Sequence, residues 1–129
     1  MSYAMTYSRA YVGVEAPLVS VETHLSSGLP ALTIVGLPET AVKESKDRVR
    51  SAIINAGFEF PAKRITINLA PADLPKEGAR FDLAIAIGLL AASGQLPAAA
   101  IKDYEFVAEL ALSSDLRSCP AILSAAIAC

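Results

Sequence analysis

From Leu18 to Leu25 the chain alternates. Val19, Val21, Thr23 and Leu25 share one face, and Leu18, Ser20, Glu22 and His24 share the other. A period of two predicts a strand with one face on a core and one in water. Tyr3 to Val14 carries β-formers around Arg9, and Ala31 to Val35 is a short apolar run, so both read as strands, the second as a buried one. Ser26 to Pro30 between them is turn chemistry. The period then changes. Val42, Val49, Ala52, Ile53 and Ala56 form one apolar stripe of a helix with Pro38 as its first residue and Glu39 near its positive end. Lys43, Glu44, Lys46, Asp47, Arg48 and Arg50 cover the rest of that helix, with Glu44 and Arg48 in favourable register, and Gly57 stops it. Alternation returns from Arg64 to Leu69, with Ile65, Ile67 and Leu69 pointing inward. Phe81 to Ser93 is apolar nearly all round and predicts a buried helix. Gly94 ends it, and Pro97 argues against an early restart. Glu105 to Leu112 reads as a fifth strand. Pro120 to Cys129, with Ile122, Leu123, Ala126 and Ile127, reads as a third helix cut in mid-run, which predicts a longer parent chain. The expected order is β-β-β-α-β-α-β-α, a single α/β two-layer domain without repeats or linkers.

Composition narrows the functional classes. The chain has 129 residues, 53% apolar and 19% charged, with mean hydropathy +0.46. That suits one domain and excludes intrinsic disorder. Eleven Lys and Arg against 13 Asp and Glu give a net charge of −2, which argues against a chain-wide polybasic nucleic-acid binder. Trp is absent and aromatics are 6%, so a base-stacking platform has few rings. The longest uncharged apolar run, Leu83 to Ala92, is far shorter than the roughly 20 residues of a membrane span. The N-terminus lacks a basic region followed by an apolar one, so a cytoplasmic protein is expected. Cys119 and Cys129 read as free thiols, and the single histidine, His24, on a polar strand face, excludes an imidazole-rich metal centre.

Two segments invite a functional reading. Thr33 to Glu44 runs strand, glycine turn, helix. A phosphate-binding loop would need a glycine before Lys43 and a hydroxyl after it; Val42 and Glu44 stand there, and Glu39 would repel phosphate, so the segment reads as a structural turn. Asn68 to Asp82 is a long polar loop between a buried strand and a buried helix. It is either a loop capped by Asp82 or an interaction loop presenting Lys76 and Arg80. Eight of the eleven basic residues fall between positions 43 and 80. Over residues 39 to 82 seven acids accompany them, so a mixed-charge face is expected unless the fold gathers Lys43, Arg48, Arg50 and Arg64 into one basic surface.

Residues 36–45 (GLPETAVKES), 47–53 (DRVRSAI), 57–61 (GFEFP) and 68–78 (NLAPADLPKEG) resemble the N-terminal domain of the Mg-chelatase-like AAA+ ATPases. The likeness runs to about Leu123, and the last residues depart from the family pattern. The resemblance implies a fold like the Lon proteolytic domain and GHMP kinases, a β-β-β-α-β-α core with a left-handed crossover. Lon works through a Ser–Lys dyad. Laid on this chain, its serine position holds Arg80, after Pro75-Lys76-Glu77-Gly78, and its lysine position falls near Leu123. A guanidinium is no nucleophile and a leucine no base. The resemblance therefore implies no catalytic residues in this fragment, and with one histidine and its acids scattered among lysines no metal is expected either. It implies a regulatory or assembly domain attached to a downstream AAA+ motor. The whole protein would be a hexamer using ATP and Mg, a DNA branch-migration helicase of natural transformation. DNA binding by this domain and a hydrolase with an unrecognised nucleophile are the alternatives.

Overall fold

The computed structural model describes residues 2–10, 15–71, 76 and 78–117. Strands β1 (Ser2–Arg9), β2 (Leu18–Ser26) and β3 (Ala31–Val35) precede helix α1 (Glu39–Asn55) and strand β4 (Arg64–Ala70). A 3₁₀ turn (Gly78–Phe81) then opens α2 (Asp82–Ala92), and α3 (Ala98–Ile101), β5 (Glu109–Leu110) and β6 (Leu116–Arg117) follow. The main sheet has the order β1-β2-β4-β3. Its β1–β2 and β2–β4 pairs are antiparallel, and β3 runs parallel to β4. A parallel pair needs a crossover, and α1 supplies it.

The alternating residues of the strands decide which face meets the helices. Ala4, Thr23, Ile67 and Ile34 lie opposite one another across all four strands and are all buried. Val21 and Leu69 repeat the pattern one pleat on, and Val49, Ala52 and Ile53 of α1 and Ala84, Ile85 and Leu89 of α2 complete the core. The other face is wet. There Tyr3 Oη and Asn68 Nδ2 donate to the Glu22 carboxylate at 3.0 and 3.1 Å, and half-buried His24 sits between Tyr3 and Thr66. The result is a mixed α/β fold with helices on one side of one four-stranded sheet.

Helix α2 comes close to β1 and β2 because position 88 has no side chain. Thr6 Oγ1 donates to the Ala84 carbonyl at 2.9 Å. A Cβ on Gly88 would stand 2.7 Å from Thr23 Oγ1 and 3.4 Å from Thr6 Oγ1. Gly88→Ala is therefore expected to cost about 1–3 kcal/mol through overpacking. Thr23 Oγ1 makes no hydrogen bond among the described residues, so its removal sacrifices only packing. Thr23→Ala should recover much of the loss in the double variant. Urea unfolding of both singles and the double measures that coupling; strictly additive penalties would refute the close contact.

The structure departs from the sequence expectation at several places. Ala31 to Val35 is an edge strand, not a buried one: Ala31, Thr33 and Val35 are exposed, because β4 takes the central place. Pro38 caps α1 from outside rather than beginning it, with an extended backbone. Pro97 does not delay a restart; it directly precedes the short α3, where a residue without an N–H leaves no donor unsatisfied. The fifth strand over 105–112 shrinks to Glu109–Leu110, paired only with β6. The residues before it bond to two different elements. Phe106 N–H donates to Tyr7 O at 2.9 Å, Arg9 holds Glu105 through two bonds of 2.6 and 2.9 Å, and Ala108 N–H donates to Arg80 O at 3.2 Å. Such divided pairing builds no ladder. The first strand ends at Arg9, and residues 11–14 of its expected range, like the helix over 120–129 with Cys119, Leu123 and Cys129, lie outside the described residues. Among the described residues no helix is long and apolar enough to cross a membrane.

Candidate functional site

The parallel strands β3 and β4 end side by side, and the chain leaves each toward the next helix. Gly36 turns the first exit with φ +100°, and a Cβ there would lie 2.3 Å from the Leu69 carbonyl oxygen. The turn is thus pressed onto β4, as a structural turn, with no room for a side chain. The second exit is the polar segment that the sequence marks as an interaction loop. Residues 72–75 and 77 of it lie outside the described residues. Lys76 and Arg80 do not present a surface: they are 7% and 2% exposed. Arg80 lies in the 3₁₀ turn, whose backbone binds the segment before β5 through the Ala108 N–H.

Beneath this turn lies a polar cluster that the sequence reading did not assemble. The Asp82 carboxylate accepts from Ser45 Oγ at 2.9 Å, from Arg48 Nε at 2.6 Å and Nη2 at 3.3 Å, and from the Leu110 N–H at 3.2 Å. One side chain so joins α1, α2 and β5. Asp82 was expected to cap its own helix, and makes no such bond. The first residue of a helix has a free N–H to offer, but two other elements, α1 and β5, supply the donors here. Burial pushes the Asp82 carboxyl above the usual carboxylate range, while the bonds from Arg48, Ser45 and the Leu110 N–H pull it back. The bond to Asp82 holds the Arg48 guanidinium above its ordinary value, against its own desolvation. All four partners are donors, so the cluster is built for the ionised carboxylate. Ser45 is fully buried and its hydroxyl faces a carboxylate already gripped by a guanidinium. The arrangement is an ion-pair clamp rather than an activated hydroxyl. Its signal in the sequence was a serine on the buried stripe of α1 and an aspartate opening an all-apolar helix: two polar residues at core positions must find each other.

The expected basic surface divides accordingly. Arg48 belongs to the clamp, with a further 3.8 Å contact to Glu44, and is not a surface cation. Lys43, Arg50 and Arg64 are exposed. Arg50 stacks its guanidinium 5.2 Å from the centroid of Phe60. It lines a groove of about 200 Å³ with Ala31, Leu32, Phe60 and Lys63. Lys43 joins Lys46 two turns of helix earlier, in a second groove with Glu39 and Thr40. Among the described residues no three His, Cys, Asp or Glu side chains gather as metal ligands.

The sequence family described as subunit ChlI of Mg-chelatase matches residues 21–129. The chain belongs to this family. It is 64% identical over 128 residues to the competence protein ComM of Haemophilus influenzae, covering 99% of this chain and 25% of that protein. It is equally similar to the YifB protein of Salmonella typhimurium, over 98% of this chain and 25% of the relative. A Mycobacterium bovis protein is 37% identical over 99% of the chain and 25% of its own length. The chain spans about a quarter of the length of these ChlI-family relatives, their N-terminal part. Both the clamp residues Ser45, Arg48 and Asp82 and the basic flank of α1 fall inside the range that defines the family match.

Proposed function

We propose that this chain is a non-catalytic regulatory or assembly domain of a Mg-chelatase-like AAA+ ATPase, with a Lon-like, GHMP-kinase-like core. The observation that carries the reading is Arg80. It stands where the resemblance puts the Lon serine, and it is 2% exposed inside a 3₁₀ turn. A buried guanidinium at that place supplies neither a nucleophile nor access for a substrate. The nearest charged cluster, Asp82 with Ser45 and Arg48, serves to lock α1, α2 and β5 together. A rigid domain with its reactive position filled fits a part that positions or restrains a motor.

The parent protein would be a cytoplasmic hexamer driven by ATP and Mg, engaging DNA in branch migration during natural transformation. The name of the Haemophilus relative, a competence protein, supports that direction. The test uses a full-length relative with and without the segment matching residues 1–129. Its removal is expected to alter oligomeric state, measured by mass photometry, or ATP turnover; unchanged assembly and unchanged turnover would sink the proposal. The 129-residue chain should also resist labelling by a serine-reactive fluorophosphonate, and stoichiometric labelling would restore the hydrolase alternative. DNA engagement by this domain itself is the second reading, favoured by the exposed Lys43, Arg50 and Arg64.

A further inference from the structure

We propose that the free edge of β3, together with the flank of α1 above it, is a docking groove for an acidic extended peptide that adds to the sheet as a further strand. β3 has one neighbour, β4; no strand of the described residues pairs with its other edge. Edge strands are ordinarily protected by a lysine, a proline or a bulge. Ala31-Leu32-Thr33-Ile34-Val35 contains no charge and no proline, and Val35 is 49% exposed.

Cations stand beside this edge rather than on it. Lys43, Lys46 and Arg50 are spaced three and four apart and so share one flank of α1. The opposite flank, with Arg48, is turned to Asp82. Arg50 places this flank beside β3, lining a groove with Ala31 and Leu32 of β3 and with Lys63. Lys43 and Lys46, on the same flank, line a groove of about 390 Å³ with Glu39, Thr40 and Val42 of α1, toward the helix N-terminus. None of these four cations makes an ion pair among the described residues. Helical spacing puts two carboxylates on the same flank, Glu39 at the end of the groove and Asp47 four residues after Lys43, while Glu44, next to Lys43, lies 3.8 Å from Arg48.

The occupant follows from the two features together. A strand edge offers alternating N–H and C=O groups, and only a peptide backbone answers both; a phosphodiester chain has no backbone donors. Side chains of an added strand point the same way every second residue, about 7 Å apart. Lys43 to Arg50 spans about 10 Å of helix axis, so two alternate acidic side chains can meet the flank at once. A second copy of this chain pairing β3 to β3 would bring two basic flanks together, and repulsion disfavours it.

The test takes the 129-residue chain and a fluorescein-labelled octapeptide of alternating valine and glutamate. Saturable binding by anisotropy is expected, with amide shift changes concentrated at residues 31–35. A variant combining Lys43→Glu and Arg50→Glu should weaken binding by at least about tenfold while leaving thermal stability close to wild type. If that variant does not fold, Lys43→Gln with Arg50→Gln provides the same comparison. A peptide with its two central valines replaced by proline keeps its charge and loses strand pairing, so it should not bind. Equal binding of the proline peptide, shift changes away from β3, or displacement of the peptide by oligothymidylate at equal charge would each overturn the proposal. The last result would favour a nucleic-acid surface instead. None of these outcomes bears on whether the Arg80 position is catalytically silent.

Discussion

Asp82→Ala is expected to destabilise the chain by about 3–5 kcal/mol, the cost of removing one partner of a buried ion pair. The carboxylate is fully buried, and its removal strands the Arg48 guanidinium, the Ser45 hydroxyl and the Leu110 N–H at once. Arg48 can recover some water because its side chain is 20% exposed, whereas Ser45 cannot. Three elements also lose their common anchor, so the loss should appear in the global transition rather than as local fraying. Urea unfolding monitored by circular dichroism measures it. Arg48→Ala combined with Asp82→Ala should cost clearly less than the sum of the two, because the second change no longer abandons a charge. Additive losses, or a single-variant loss below about 1 kcal/mol, would mean that the clamp is merely geometric. Lys43→Ala is the control: an exposed lysine outside the clamp should stay within about 0.5 kcal/mol of wild type.

Gly36→Ala should be comparably severe, about 3 kcal/mol or more, because a strained backbone and an overpacked contact coincide. With φ +100° an L side chain is strained before any contact is counted. The new Cβ would also lie 2.3 Å from a backbone oxygen of Leu69. That oxygen belongs to the central strand β4, held between β2 and β3, so it cannot retreat without breaking a ladder. Gly57 separates the two contributions. It has φ +89° but nothing within 4 Å of a built Cβ, so Gly57→Ala should lose only the conformational part, about 1–2 kcal/mol. Equal midpoints for the two variants in the same denaturant series would show that the contact with Leu69 contributes nothing.

The candidate functional residues were less legible than the elements. Lys76 and Arg80 read as loop cations because the loop around them is polar, yet both are buried. Arg48 read as one more charge on a solvated helix, although it points to Asp82 across the helix pair. Charge run and composition report how many cations a segment has, not which side of a helix meets a neighbour. Lys43 and Arg50 kept their exposed places because no element packs on that flank among the described residues. The resemblance to the Mg-chelatase-like family, carried by contiguous motifs, was confirmed by the family match and by relatives at 64% identity.

Local periodicity alone determined β2, β4, α1 and α2, and which residues of the two strands face the core; on the α1 stripe Val49, Ala52 and Ile53 are buried as expected, whereas Ala56 is exposed and Ser45 is buried. Val19, Val21, Thr23 and Leu25, and Ile65, Ile67 and Leu69, are buried as their alternation requires, since a one-residue slip would expose them all. Gly57 and Gly94 end their helices at positive φ, a preference written into the residue itself. Tertiary structure alone decided that β4 lies between β2 and β3 and leaves β3 at an edge, that residues 105–108 divide their bonds between β1 and the 3₁₀ turn, and that Asp82 binds Ser45 and Arg48 instead of its own helix end. The reason is range. Periodicity and turn preference act over a few neighbouring residues, whereas strand order and the pairing of a buried charge depend on groups 28 or more positions apart that meet only once the chain has closed.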